Sequence, residues 1–504
     1  MSNDTKRTYL RPAGSFERRY ILRNALGYYR ALIVSARYTT PEGQTLESRE
    51  SFIPALKHCV LAHPMLSAAV EDELTEAPSL VKPATLDLNN HIEVLPAVAR
   101  DGLSSREELE AIQPHLCHAH GQQFQRCNIT PPWRVIIIPL TSTSSTPTAF
   151  WVSFSYCHSH GDGTSGAIFH RTFLSALRDP ALTAAHTSDP VFQPSSLLPL
   201  LPAFESLAPF PLKWTYLLGP VLGALLPRWL ANLLRVRSSI SPTGPNMWTA
   251  TRMSYDPSYF RTGLQFAVAS AATVSGLLKR CRERKPGVVK LTAVLHELIV
   301  RALSASLPAA QAGSFVAQTP LNLRGAVSAM GRDDFGPCVS VAHHVFPRAL
   351  GEEDGGEGDL GEEAWARAAE TTAVLKEKSA SLVNQPVALM KYVTNYRGYL
   401  QKKIGAVRDC SYGISNIMAF DPEEGRNGKR EGHGWTVDQM VFSQPADAIG
   451  CPVWFNVASI KGGDMVVTLT WQRSALGIEG GDEDAWARHI CSRLERGMRS
   501  LAGM

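Results

Sequence analysis

The stretch that most constrains this chain is His158-Ser159-His160-Gly161-Asp162-Gly163, because of the patterns on either side of it. Upstream, Phe150-Trp151-Val152-Ser153-Phe154-Ser155-Tyr156 is dominated by aromatics and valine, with its serines on the alternate face, which predicts a strand. Downstream, Thr164-Ser165-Gly166 followed by Phe169, Phe173, Ala176 and Leu177 predicts a capped amphipathic helix. Two imidazoles and a carboxylate therefore stand on a turn from strand to helix, where Gly161 and Gly163 are expected to let the backbone turn sharply. Turns held at a strand end are favoured places for chemistry.

Three readings of the turn compete. In the first, the histidines satisfy nearby backbone groups and nothing more. In the second, His158-x-His160-x-Asp162 opens the H-x-H-x-D-H pattern of metallo-β-lactamase-like hydrolases. Gly163 stands where that pattern needs a further histidine, and zinc takes three or four protein ligands. His118, His120, His343 and His344 show no complementary spacing, so no metal is expected. The third reading is H-x-x-x-D-G, with His158 as a base and Asp162 four residues on.

In that form the sequence resembles the coenzyme-A-dependent acyltransferase superfamily of chloramphenicol acetyltransferases, plant-type acyltransferases and condensation domains. Many members carry a second histidine just before the motif; Cys157 stands there in this chain. Further landmarks follow the family's order. Arg11-Pro-Ala-Gly-Ser-Phe-Glu17-Arg18-Arg19-Tyr20 with Leu26-Gly27-Tyr28-Tyr29 resembles the opening of fungal alcohol O-acetyltransferases. Thr319-Pro-Leu-Asn-Leu-Arg324-Gly is similar to an Asn-x-Arg strand end, Phe335–Ser340 to the strand after it, and Tyr412-Gly-Ile-Ser415-Asn416 to a Ser-Asn strand end.

The resemblance implies an α/β fold of two chloramphenicol-acetyltransferase-like lobes, with mixed sheets and a central channel. The implied activity is transfer of acetyl from acetyl-CoA to the hydroxyl of a small, mostly apolar alcohol or secondary-metabolite intermediate; an amine would be served by the same base. His158 is the base, because a neutral imidazole titrates near physiological pH. Asp162 is implied to face away from the cavity and pair with an arginine. Arg324 is the candidate partner, its alternative being an exposed strand-end charge. Gly163 would admit close approach, and His160 would shape the cavity. Ser415 and Asn416 either supply oxyanion donors or end a strand; Ser340 and Ser443 are weaker candidates. The alternatives in other classes are a metal-dependent hydrolase using His158, His160 and Asp162, and a non-catalytic acyltransferase-like binding module.

At 504 residues the chain exceeds the roughly 250–300 at which single cores stop growing. We expect an N-terminal lobe over 1–205, an apolar crossover over 206–247 and a C-terminal lobe over 248–504. A net charge of +4 with mixed signs gives nucleic-acid binding no support. Nine scattered cysteines without a C-x-x-C pair argue against a disulfide framework and a structural zinc site. The N-terminal residues Met1–Arg11 are polar, without the apolar core of a leader. An intracellular, cytoplasmic monomer is the expectation. Trp214–Leu226 is almost wholly apolar, with Trp229, Leu230, Leu233 and Leu234 beyond it. It is shorter than the roughly 20 residues of a membrane span. It suits peripheral contact with a membrane or lipid droplet through Trp214–Leu234, a crossover packed on the protein, or a lid over an apolar acceptor site.

Elsewhere, periodicity predicts a helix near Arg49–His63, strands at Trp133–Pro139 and Ala149–Tyr156, and a hairpin loop at Thr141–Thr148. Proline-rich sequence from Pro190 to Pro211 marks a boundary. A strand is expected at Thr249–Tyr255, a basic helix at Ala271–Arg284, and a helix at Thr292–Leu307 started by a threonine cap. Strands at Ser314–Leu323 and Cys338–Phe346 follow, then one at Trp435–Ser443. A hairpin joins Asn456–Ile460 to Met465–Trp471, and Glu483–Leu501 closes as a helix. Gly351–Glu363 and Asp421–Gly434 are charged and glycine-rich, the pattern of solvated insertions. Lys279, Arg280, Arg282, Arg284 and Lys285 form the densest basic cluster, either a solvated helix face or a site for coenzyme phosphates.

Overall fold

Two mixed sheets, each backed by helices, organise the chain in a computed structural model. The structure describes residues 7–41, 48–100, 103–142, 145–195, 198–227, 230, 233–234, 240–244, 246–284, 287–349, 358–424, 434–478 and 480–504. One sheet runs in the order Thr436–Ser443, Ala31–Thr39, Ser145–Cys157, Trp133–Ser142 and Ile92–Val94, with Val98–Ala99 also pairing to Trp133–Ser142. The other runs Thr262–Ala269, Met465–Gln472, Val453–Ile460, Tyr412–Phe420, Ser314–Asn322 and Val339–Pro347. Tyr412–Phe420 is parallel to both of its neighbours there, and the remaining pairs of that sheet are antiparallel. Thr436–Ser443, from late in the chain, completes the first sheet by pairing with Ala31–Thr39.

The alternation that predicted Phe150–Tyr156 decides where the first core lies. Phe154 faces the helix Gly163–Arg178 and stacks on Phe169 with ring centroids 4.0 Å apart. Ser153 points the other way and bonds Ser35 across the sheet. The second core lies between its sheet and the helices Leu291–Ser306 and Glu483–Leu501. A third cluster, with Ile33 and Val441 from one sheet and Leu264, Phe266 and Val466 from the other, packs both beneath the helix Ser105–Gly121.

Several expectations change. Strand pairing continues to Ser142 and resumes at Ser145, so the Thr141–Thr148 loop is shorter than predicted; residues 143–144 lie outside the described set. Thr249–Tyr255 is not a strand. Its amides go to scattered carbonyls, Thr251 to Ala475 and Met253 to Ala406, and Ala250 has a φ of 55°. The strand begins later, at Thr262. Thr292 does not cap its helix: Lys290 is the cap residue, and its amide bonds Thr372 Oγ1 at 3.1 Å. Cys410 and Cys451 form a disulfide with Cα atoms 5.4 Å apart, immediately before two adjacent parallel strands. Spacing along the chain carried no sign of that pairing.

The basic cluster meets its acidic counterpart. Arg280 and Arg284 pair with Asp359, Arg284 also reaches Glu362 at 2.6 Å, and Lys279 lies beside Glu283. Lys285, most of the Gly351–Glu363 run and most of Asp421–Gly434 lie outside the described residues. The apolar segment forms the helix Trp214–Leu225, with Trp214, Leu218 and Val221 exposed at 86%, 57% and 47%. Their spacing puts them on one face. Among the described residues no helix is long and apolar enough to cross a membrane.

Burial pushes five fully enclosed imidazoles far below their ordinary value: His91, His120, His160 and His170 to about 4, and His296 to about 3. Above about pH 6.5 such groups are neutral folded and unfolded. Below it the unfolded chain takes protons that the folded chain refuses, so stability falls as pH drops toward 4. Thermal melts should therefore decline steeply between pH 6.5 and 4. A melting temperature constant across that window would contradict this account.

Candidate active site

Strand Ser145–Cys157 delivers the turn, and helix Gly163–Arg178 leaves it. The backbone is pinned where it reverses: His160 N bonds Cys157 O at 2.9 Å, and Tyr156 Oη donates to Asp162 O at 2.6 Å. Asp162 is the helix cap, its Oδ1 accepting from Ser165 N at 2.9 Å, so the cap lies two residues before Thr164, where the sequence suggested it. Neither Gly161 nor Gly163 adopts a left-handed φ. What these positions need is space. A Cβ on Gly161 would lie 2.7 Å from Ser165 Cβ, and one on Gly163 would lie 2.5 Å from Ile417 Cγ2 and 3.0 Å from Phe442. The glycines let strands of both sheets close on the turn.

The other oxygen of Asp162 reaches the second half of the chain. Oδ2 accepts from Arg324 Nη1 at 2.7 Å and from Cys338 N at 3.1 Å. Arg324 is 3% exposed, and each of its five donors is used. Nε bonds Asp334 O, Nη1 bonds Asp162 and Asn322 Oδ1, and Nη2 bonds Ser165 Oγ and Gly336 O. Burial alone would raise the Asp162 carboxyl; the Arg324 charge overrides it and holds the group below the usual carboxylate range.

His158 faces a different wall. Its ring stacks on Tyr20 at 3.7 Å with planes 14° apart, and Tyr29 lies 5.9 Å away. Nδ1 is buried with no partner of good geometry among the described residues, and the residue's own carbonyl is the acceptor that favours a proton there. Burial lowers the imidazole to about 4; Asp162 opposes this, while Arg19 and Arg23 reinforce it. The ring is therefore neutral at physiological pH, a state able to accept a proton. Tyr29 Oη continues inward to Gln444 Oε1 at 2.8 Å, and Gln444 Nε2 to Asn456 Oδ1 at 2.8 Å, on the second sheet.

The remaining predicted residues divide. His160 has both nitrogens engaged, Nε2 with Ala68 O at 2.8 Å and Nδ1 with Ser159 Oγ at 3.0 Å. With Asp162 committed to Arg324, the three would-be metal ligands turn to three separate sets of partners. Asn416 donates to Thr292 Oγ1 at 3.0 Å, and its carbonyl accepts from Met418 N at 2.8 Å, across a bulge in its strand. Ser415 is half-buried on the same strand. Ser340 Oγ is buried without a partner among the described residues, and Ser443 Oγ is held by His120 Nε2 at 2.8 Å. A cleft of about 410 Å³ opens beside the helix start, walled by Thr164, Ile168, Asn322, Arg324, Ile417 and Met418. Tyr20, Tyr29 and the Gln444–Asn456 link carried no signal as site residues, because only tertiary packing brings them to His158.

Comparison with known proteins now bears on this arrangement. The family model for alcohol acetyltransferases matches residues 120–496. The chain belongs to the alcohol acetyltransferase family. It is 22% identical over 481 residues to "Probable alcohol acetyltransferase FCK4" of Fusarium pseudograminearum, covering 93% of this chain and 91% of that one. The structure of TRI3, the trichothecene 15-O-acetyltransferase of Fusarium sporotrichioides, superposes with a TM-score of 0.62 at 13% identity, covering 99% of this chain and 96% of that one. A starter condensation domain of rhizomide synthetase, solved with C8-CoA, superposes at 0.58 and 13% identity, over 99% of this chain and 95% of that domain. Membership makes this alcohol acetyltransferase family protein an acyltransferase using acyl-CoA substrates, and the superpositions show the two-lobed fold.

The buried pair yields a stability test. Arg324→Met strands an unpaired carboxylate and should cost about 3–5 kcal/mol in urea unfolding. Arg324→Lys should recover only part, because an ammonium cannot reproduce the five-donor fork. Wild-type stability in the methionine variant would refute this account of the pair.

Proposed function

We propose that this acyltransferase moves an acetyl group from acetyl-CoA to a hydroxyl of a small, largely apolar alcohol or secondary-metabolite intermediate, with His158 as general base. The observation that carries the reading is a buried, neutral imidazole clamped by Tyr20 on a turn braced from both halves of the chain. His158 Nε2 takes the hydroxyl proton as the oxygen attacks the thioester carbonyl. The carbon–sulfur bond then breaks, and the proton passes to the departing thiolate. Asp162, Gly163 and Arg324 hold the turn and touch no reacting atom. Ser415 is the better candidate than Asn416 for a donor to the oxyanion, since Asn416 is spent on Thr292 and Met418. The lobes are read as 1–205 and 248–504, joined by 206–247 and working as a monomer.

The metal-dependent hydrolase gains no support, because His158, His160 and Asp162 do not converge on one point. A non-catalytic binding module would release no thiol at all. Thiol release from acetyl-CoA across a panel of alcohols should fall roughly 10²–10⁴-fold in His158→Ala. Equal turnover in both proteins would remove His158 from the chemistry. With a base at about 4, kcat/KM should rise with pH through that value and be level near neutrality. A pH profile with its acid limb at 6.5 would oppose the buried-base assignment.

The exposed face of Trp214, Leu218 and Val221 supports peripheral contact with a membrane or lipid-droplet surface. Co-sedimentation with phosphatidylcholine–phosphatidylserine vesicles should weaken in a Trp214→Glu/Leu218→Glu protein. Equal sedimentation of the two proteins would count against that contact.

A further inference from the structure

Arg19 is a cation without a counter-ion, one residue from the clamp on the candidate base. It lies half-buried on the helix Ser15–Ala25, with its guanidinium carbon 5.3 Å over the ring of Tyr20, the ring that stacks on His158. The cations around it each have acceptors within the protein, although Nε of Arg18 and of Arg23 is unpartnered among the described residues. Arg23 pairs with Asp447, Lys403 Nζ donates to Asp409 at 2.7 Å, Arg11 holds Glu17 through two bonds, and Arg18 donates to the carbonyls of Glu76 and Val393. The phenols of Tyr20, Tyr396 and Tyr399 face Arg19, and Asp447, already held by Arg23, is the nearby carboxylate. Among the described residues nothing accepts a hydrogen bond from Arg19 and no carboxylate comes within ion-pair distance. A guanidinium stays charged at any physiological pH, and withdrawing one from water without an acceptor is costly. The vacant fork is therefore shaped for an anion supplied from outside the protein.

We propose that Arg19 receives an anionic group of the acceptor, a carboxylate in the first instance, so that the alcohols this protein acetylates are hydroxy acids. The proposal rests on the acyl-transfer reading and refines it. In a productive complex the thioester carbonyl and the acceptor oxygen meet at His158. Arg19 is separated from that point by one phenol ring. The phosphates of coenzyme A are held away from its sulfur by the whole pantetheine arm, with two amides and a branched spacer, and so lie well beyond that distance. A carboxylate on a compact skeleton bridges it. Tyr20 and the exposed Tyr399 supply aromatic surface for the body of such a molecule, with the buried Tyr396 behind them, in keeping with a mostly apolar acceptor that carries one charge.

The test uses hydroxy acids paired with their methyl esters, 4-(hydroxymethyl)benzoate first, and two donors, acetyl-CoA and the phosphate-free acetyl-pantetheine. In the wild type the acid should exceed its ester in kcat/KM by about tenfold or more. That ratio should collapse in Arg19→Gln and survive in part in Arg19→Lys, with either donor. An acid-to-ester ratio near one in the wild type, or a ratio untouched by Arg19→Gln, overturns the proposal and leaves acyl transfer standing. A defect seen with acetyl-CoA and absent with acetyl-pantetheine assigns Arg19 to the coenzyme and also overturns it. Calorimetry with the same acid and ester reads binding apart from turnover. Tighter, salt-sensitive binding of the acid that disappears in a folded Arg19→Gln protein supports the proposal, and no acid binding more tightly than its ester overturns it. Absence of thiol release with every alcohol sinks the acyl-transfer reading instead, and calorimetry still decides the anion site.

Discussion

The contact on which the structure depends most is the buried pair of Asp162 and Arg324. Asp162 begins the helix that leaves the first sheet, and Arg324 follows a strand of the second. Burying either charge alone is costly, and the pair is stable because hydrogen bonds fill its remaining valences. Asp162 takes donors from Ser165 and Cys338, and Arg324 gives to Asp334, Asn322, Ser165 and Gly336. Both lobes are thereby tied to one turn, and the turn cannot shift without stranding charge.

That pinning commits the carboxylate to Arg324 and leaves His158 to a separate set of neighbours. Asp162 is consumed by structure, so its charge only partly offsets the burial that keeps His158 neutral. Tyr20 holds the imidazole by stacking, which fixes the ring plane without engaging its nitrogens in a hydrogen bond. His160, two residues along, is locked to Ala68 and Ser159. One turn thus contains a rigid histidine with both nitrogens engaged and a rigid histidine with its outer nitrogen uncommitted. Environment, not residue type, separates their roles.

The helix carrying Tyr20 has a second consequence. It sets three arginines near His158: Arg23 is paired with Asp447, Arg18 donates to backbone carbonyls, and Arg19 has no hydrogen-bond acceptor among the described residues. Charge close to a reacting centre biases which molecules dwell there, and the unmatched one selects for an opposite charge.

Much of this was legible in the chain. Period-two aromatics before His158 and the helical spacing after it placed strand, turn and helix, because those periods follow directly from backbone geometry. Gly163 stood where the H-x-H-x-D-H pattern needs its closing histidine, which put the metal reading behind. The ordered landmarks from Glu17 to Asn416 carried the two-lobed fold and the family. Other features needed the folded molecule. Thr249–Tyr255 has the composition of a strand, but its amides find partners scattered along distant loops. Gly161 and Gly163 serve packing rather than left-handed turns: Gly161 makes room for Ser165 of the same turn, and Gly163 for Ile417 and Phe442, which arrive from elsewhere in the chain. Cys410 and Cys451 pair because two parallel strands start side by side. Tyr20 stacks on His158 across more than a hundred residues of chain. By itself the sequence determined which residues could do chemistry, since side-chain type and local period are properties of the chain. Tertiary structure alone decided which of them are free to do it, because burial, pairing and stacking are set by neighbours distant in sequence.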